Sequence, residues 1–105
     1  MTRLPQLRHK FNAQRTEYAG RRYPSKKQAN YAQELDLRVK ANEVLFYLEE
    51  VPFRLPGGVV YRADFIEFWV NGEVHIVDTK GYRTQDYIAK KRMVEALYPV
   101  KIEEV

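Results

Sequence analysis

Apolar residues dominate two strand-like stretches in the middle of the chain, at positions 59–70 and 74–80. Both are rich in Val, Ile, Phe and Tyr, the residue types that favour β-strands. Between them lies Asn71-Gly72, the strongest short signal for a two-residue hairpin turn. The pattern therefore predicts two adjacent antiparallel strands, with the end of the second strand lying beside the first.

Two further stretches have helical spacing. The first is predicted to begin after Ser25, a good N-cap residue, and to run to about residue 41. Its apolar stripe comprises Ala29, Ala32, Leu35 and Val39. The second is predicted over residues 85–98 and is stopped by Pro99. The candidates for its buried side are Ile88, Met93, Val94 and Leu97.

The remaining segments complete an α/β pattern in the order α-β-β-β-α-β. Residues 44–53 are predicted to form a strand, and residues 100–105 a short last strand. Residues 1–24 lack a clear period and contain Gly20 and Pro24, so we interpret them as an irregular N-terminal arm. Residues 25–105 then form one domain, as the chain length of 105 residues allows.

Positive charge is concentrated at the start of the chain. Residues 1–31 hold eight basic side chains and one acidic one, a net charge of +7, whereas residues 32–105 carry a net charge of −3. Such a basic segment favours contact with a polyanion, and the alternative is a solvated tail. Cysteine is absent, which excludes disulfides and thiolate sites. No apolar run approaches the roughly 20 residues that span a bilayer, so we expect no membrane association and a cytoplasmic protein.

Two carboxylates and a lysine mark the predicted hairpin as a candidate metal site. Asp64 lies in the first strand, and Asp78-Thr79-Lys80 ends the second. Mg²⁺ prefers oxygen ligands, usually one or two carboxylates completed by water and phosphate. We therefore expect Asp64, Asp78 and the Thr79 carbonyl to bind metal. Lys80 would orient the attacking water or stabilise the charge that develops on phosphate.

These residues carry a resemblance to a known family. Residues 62–65 and 77–81 resemble the bipartite motif of the PD-(D/E)xK nuclease superfamily, in particular its small phage-encoded and junction-resolving members. The similarity extends from Tyr18 to Glu104. It implies a restriction-endonuclease-like mixed central sheet flanked by helices. It also implies DNA cleavage dependent on Mg²⁺ or Mn²⁺, frequent homodimers and, for a phage protein, the host cytoplasm.

One position departs from that family. Relatives usually have a glutamate just after the cap of the first helix, where this chain has Gln28. Gln28 lies on the apolar stripe and is expected to face the sheet, so we assign it to the site as an uncharged ligand. Glu34 is the alternative helix ligand, but it lies about 600° further around the helix and is expected to point elsewhere.

The sequence also predicts a DNA-binding surface and leaves two other functions open. The candidate phosphate contacts are Arg15, Arg21, Arg22, Lys26, Lys27, Lys90 and Lys91. One alternative to a nuclease is a non-catalytic DNA-binding module on the same fold. The other is a protein whose basic arm binds an acidic partner. His9 and His75 have no second nitrogen or sulfur ligand at a useful spacing, so zinc is not expected.

Overall fold

The computed structural model describes residues 15–79 and 82–105, in which strands and helices alternate along the chain. The elements are β1 (Thr16–Tyr18), β2 (Arg21–Tyr23), α1 (Lys26–Lys40), β3 (Val44–Arg54), β4 (Val60–Trp69), β5 (Val74–Asp78), α2 (Gln85–Leu97) and β6 (Ile102–Glu104). A short 3-10 turn at Pro56–Gly58 joins β3 to β4.

Four strands form a mixed sheet in the order β3-β4-β5-β6. β3 and β5 both pair antiparallel with β4, whereas β6 pairs parallel with β5. The predicted hairpin is confirmed, but its turn spans residues 70–72 rather than two residues, because the Trp69 N–H donates to the Glu73 carbonyl at 2.9 Å. Gly72 in this turn has a φ of 94°, a conformation that favours glycine. Because β5 and β6 are parallel, they need a crossover connection, and α2 provides it. The predicted α/β class is thus confirmed as a mixed sheet with two helices.

Each face of the sheet contributes to a separate hydrophobic cluster. The cluster that includes α1 consists of Tyr23, Ala29, Ala32, Leu35, Phe65 and Val77. The cluster that includes α2 consists of Leu55, Tyr61, Ala63, Ile66, Ile76, Tyr87, Val94 and Ile102. Phe65 and Ile66 are neighbours in β4 but belong to different clusters, as side chains that alternate across a strand must. The sheet therefore lies between the two helices.

The first helix forms as predicted. The Ser25 hydroxyl accepts a hydrogen bond from the Gln28 backbone N–H at 3.1 Å and caps the helix. Ala29, Ala32 and Leu35 are buried, and Val39 is half-buried. Among residues 15–79 and 82–105, no helix is long and apolar enough to cross a membrane.

Two elements differ from the sequence-based expectation. Residues 15–24, assigned to an irregular arm, contain the hairpin β1–β2, so the order of elements is β-β-α-β-β-β-α-β. Three-residue strands are too short to show alternation, which explains why the pattern missed them. In α2 the expected Leu97 is exposed, and Tyr87 is buried instead. Residues 1–14 of the predicted arm lie outside the described residues.

The hairpin is anchored by tyrosines rather than by a long ladder. The Tyr18 hydroxyl donates a hydrogen bond to Asp36 Oδ2 on α1 at 2.6 Å. The buried Tyr23 donates to Glu49 Oε2 on β3, also at 2.6 Å. These contacts fix the basic β1–β2 hairpin between α1 and the edge of the sheet.

Leu35 and Leu37 give a matched test of this packing. Leu35 is fully buried, whereas Leu37, two residues along the same helix, is 61% exposed. Leu35→Ala should lower the free energy of unfolding by about 2–5 kcal/mol, because it leaves a cavity in the α1 cluster. Leu37→Ala should change it by less than about 0.5 kcal/mol. Urea unfolding of both variants checks this; equal losses would contradict the described orientation of α1.

Candidate active site

Asp64 and Asp78 lie opposite each other on adjacent strands. At this end of the sheet, the β4–β5 ladder finishes with the pair Phe65 and Val77, and Asp64 and Asp78 each lie one residue beyond it. Asp78 is the final residue of β5 and is fully buried, whereas Asp64 is half-buried. This placement agrees with the prediction from sequence that the two strands bring these carboxylates together.

Reciprocal hydrogen bonds hold the two carboxylates where the strand ladder ends. The Asp64 N–H donates to Asp78 Oδ1 at 3.0 Å. The Thr79 N–H and the Thr79 hydroxyl both donate to Asp64 Oδ2, each at 2.9 Å. Each strand therefore uses its carboxylate to satisfy a backbone donor of the other strand. Hydrogen bonds of this kind fix the orientation of a carboxylate.

The donor set at this position fits a hard divalent cation. Mg²⁺ binds proteins through one or two carboxylates and fills its other positions with water and substrate phosphate. Asp64 and Asp78 provide such a pair of oriented oxygen ligands. Across residues 15–79 and 82–105, no group of three or more His, Cys, Asp or Glu side chains is arranged to hold a metal ion. Asp64 and Asp78 match the carboxylates expected of a Mg²⁺ site in type and number, and Mg²⁺ binding itself stays a prediction.

Part of the predicted triplet is not described. Lys80 and Gly81 lie outside the described residues, so the role expected for Lys80 stays a prediction. Thr79 is buried, and its hydroxyl and N–H contact Asp64. The metal contact expected for its carbonyl also stays a prediction.

The two candidate helix ligands lie in different surroundings. Gln28 is only 3% exposed, and its Nε2 donates to Glu50 Oε2 at 3.0 Å. Glu34 is exposed and accepts from Arg38 at 3.5 Å, on the next turn of α1. The helix therefore directs Gln28, and not Glu34, towards β3.

Glu50 is the residue that sequence reasoning missed. On β3 it lies between Glu49, which pairs with Phe65, and Val51, which pairs with Ala63. By register it is therefore opposite Asp64. The only sequence signal was the pair of acids that interrupts an otherwise apolar strand, and this signal does not show which neighbour Glu50 faces.

The predicted DNA contacts lie just before β1, on β2 and on the two helices. Arg22 is exposed on β2, and Arg21 forms an ion pair with Glu49. Lys26 and Lys27 occupy the first turn of α1 and are exposed, as is Arg15. On α2, Lys90 pairs with Asp86 at 3.1 Å and Lys91 with Glu95 at 3.8 Å. These two α2 lysines are thus partly engaged within their own helix.

Comparison with known proteins assigns a family. Residues 8–104 match the model of the family described as "Protein of unknown function (DUF1064)". The chain belongs to the DUF1064 family. No curated protein and no solved structure matches the chain. The function of this DUF1064 protein is therefore inferred from the geometry of its own site.

A second polar feature of the DUF1064 chain adjoins the site through Thr79. An open groove of about 520 Å³ runs between α1 and the sheet, with the buried Glu67 in its lining. Glu67 accepts from the Tyr31 hydroxyl at 2.5 Å and from Trp69 Nε1 at 2.9 Å. Burial and the bond to Glu67 raise the pKa of Tyr31, which keeps its hydroxyl protonated as a donor.

His75 lines the same groove between two carboxylates. Its Nε2 lies 2.9 Å from Glu73 Oε1, and its Nδ1 lies 2.9 Å from Glu103 Oε2. The hydrogen bond to Glu73, followed by the charges of Glu103 and Glu67, raises the pKa of His75 above its usual 6.5, against the opposing effect of burial. The imidazolium form is therefore stabilised by folding.

The stability of the DUF1064 domain should depend on pH through His75. A pKa that is raised in the folded state adds stability that is complete below the unfolded pKa and is lost as pH rises through the folded pKa. The difference in unfolding free energy between the parent and His75→Gln should thus be larger at pH 5.5 than at pH 8.5. Urea unfolding at both values measures it. A difference that is equal at both, or larger at pH 8.5, would contradict the described contacts.

Proposed function

We propose that this protein is a metal-dependent DNA endonuclease on a restriction-endonuclease-like fold. The observation that carries the proposal is the pair of carboxylates, Asp64 and Asp78, fixed by reciprocal hydrogen bonds at adjoining strand ends. The mixed sheet between two helices is compatible with that fold. The Asp78-Thr79-Lys80 triplet supplies the matching sequence motif.

Each residue has a distinct part in this reaction. A bound Mg²⁺ or Mn²⁺ neutralises phosphate charge and makes a bound water more acidic. Asp64 and Asp78 would hold the cation, and the hydrogen bonds that they accept from backbone N–H groups keep both carboxylates oriented. Thr79 fixes Asp64 through its N–H and hydroxyl. Lys80 is assigned, from its place in the triplet, to orient water or to stabilise charge on the phosphate.

The basic side chains near the site support DNA as the substrate. Four of them lie on β2 and in the first turn of α1: Arg21, Arg22, Lys26 and Lys27. The same turn of α1 carries Gln28, which contacts Glu50. Cations at this position would hold the phosphate backbone beside the acidic residues. We further propose that two copies act together, because a single-site domain that cuts both strands needs a partner, and a homodimer supplies it by symmetry.

A non-catalytic DNA-binding module is the second candidate. The observation in its favour is the uncharged Gln28 on α1, together with the absence of a three-acid cluster among the described residues. Such a protein would bind DNA without metal and would not cut it. The two candidates therefore differ in turnover and not in affinity for DNA.

A conservative variant of Asp78 tests catalysis. Because Asp78 is buried and accepts the Asp64 N–H, Asp78→Ala would disturb the fold, so we choose Asp78→Asn, which keeps size and an acceptor. Cleavage of plasmid DNA with Mg²⁺ should fall by about 10²-fold or more, as when one preorganised electrostatic group is lost. DNA binding should persist.

Glu34→Gln is the matched control, because it removes an exposed carboxylate from α1. It should cut DNA at the parent rate. If Asp78→Asn retains the parent rate, the assignment of the metal ligands is wrong. If the parent itself binds DNA but does not cut it with Mg²⁺ or Mn²⁺, the binding module is the better account.

Arg22 tests the proposed path of the DNA. Arg22→Ala removes an exposed cation that lines a small cleft beside Glu50, whereas Arg54→Ala removes an exposed cation at the C-terminal end of β3, which does not line that cleft. Loss of one phosphate contact should reduce the slope of log K against log salt concentration by about 0.9 for duplex DNA. Fluorescence anisotropy over a salt series should show this change for Arg22→Ala alone. Identical slopes in all three proteins would exclude Arg22 from the interface.

A further inference from the structure

β3 has a kink at Glu50, which lies opposite Asp64 of the candidate site. Glu50 has a φ of 54°, which is rare for a residue other than glycine and strains the backbone. On either side of it, Glu49 and Val51 keep their pairing with β4. The strand therefore keeps its register through Glu50 while its backbone turns sharply.

The kink coincides with a reversal of the two faces of the sheet. Tyr47 packs against the α1 cluster, whereas Val51, an even number of residues further on, packs against the α2 cluster. On β4 the same change occurs between Ala63 in the α2 cluster and Phe65 in the α1 cluster. In an uninterrupted strand, residues two or four apart share a face. Glu50 and its register partner Asp64 therefore lie where the two faces reverse, and neither side chain belongs to a hydrophobic cluster.

Three carboxylates consequently lie in one row across the sheet. Glu50 is opposite Asp64 by the β3–β4 register, and Asp64 is opposite Asp78 by the β4–β5 register. Residues directly opposite in an antiparallel pair have Cα atoms about 4.5–5.5 Å apart. Among the described residues the three carboxylates do not converge into one metal-binding group, so Glu50 contributes its charge from the end of the row.

Gln28 holds the outermost of these carboxylates. Its buried amide donates from Nε2 to Glu50 Oε2 at 3.0 Å, and its own backbone N–H is fixed by the Ser25 cap. An amide donor orients a carboxylate without neutralising its charge. A lysine or arginine at this position would instead cancel the charge.

We propose that Glu50 acts on the metal site formed by Asp64 and Asp78 as a nearby negative charge that is not itself a metal ligand, with Gln28 as its positioning residue. This inference depends on the proposed function, since it assigns a further residue to the same metal site. It revises the expectation that Gln28 itself completes the site: the carboxylate comes from β3, and α1 contributes the group that holds it.

The surroundings of Glu50 match this role. A small cleft of about 290 Å³ beside it is lined by Arg21, Arg22, Tyr23, Pro24, Glu49 and Glu50. Arg21 is paired with Glu49, so the two adjacent acids on β3 have different partners. Glu50 thus has the two arginines of the cleft on one side and the aspartate pair on the other. A phosphate held by the arginines would lie next to the proposed metal site.

Binding of Mn²⁺ alone, without DNA, tests the proposal. We suggest measuring the Mn²⁺ dissociation constant by calorimetry for the parent, Glu50→Gln, Glu49→Gln and the double exchange Gln28→Glu with Glu50→Gln. Glu50→Gln should weaken Mn²⁺ binding about 10–100-fold, the range for a residue that tunes a metal site from close by. Glu49→Gln removes the same charge one residue away and should stay near the parent value.

The double exchange keeps an amide–carboxylate pair between positions 28 and 50, but it moves the negative charge from β3 to α1. It should recover most of the affinity that Glu50→Gln loses. If the parent binds Mn²⁺ and Glu50→Gln binds it equally well, the role of Glu50 is overturned while the proposed function stands. The same holds if Glu49→Gln loses as much affinity as Glu50→Gln. If the parent binds no Mn²⁺, both the inference and the proposed function are overturned.

Discussion

The exchange of hydrogen bonds between the ends of β4 and β5 is the constraint on which the site depends. Asp78 is fully buried, and burial of a carboxylate is unfavourable unless donors compensate for its lost hydration. The backbone N–H of Asp64 provides such a donor, while Thr79 provides two for Asp64. Because the donors belong to the sheet itself, the carboxylates are as rigid as the two strands that carry them.

The remaining elements bring charge of both signs to this point. The cap of α1 fixes Gln28, which contacts Glu50, and the tyrosines of the β1–β2 hairpin place Arg21 and Arg22 alongside. A row of acids repels a phosphate backbone unless a cation lies between them. Neighbouring arginines attract the same backbone. Under the proposed function, this combination would hold DNA beside the acids and allow cleavage only when a divalent metal is present.

Features set by local sequence could be predicted, and those set by tertiary contacts could not. Ser25, the Ala29–Leu35 stripe and Asn71-Gly72 act through local geometry, so the first helix and the hairpin were predicted correctly. The position of Asp64 beside Asp78 followed from that hairpin. The proposed role of Glu50 depends on its positive φ and on the register between β3 and β4. Neither feature can be predicted from the composition of the strand or from the spacing of its residues. The burial of Tyr87 likewise depends on how α2 crosses the sheet.

The most direct test of the account is a crystal structure of the protein grown with Mn²⁺, in which anomalous scattering locates the metal. We expect an anomalous peak within bonding distance of carboxylate oxygens from both Asp64 and Asp78. The peak should lie on the side of the two aspartates that faces Glu50. A well-diffracting crystal with saturating Mn²⁺ but no peak at these two carboxylates, or with Mn²⁺ bound only elsewhere, would contradict the proposed metal site.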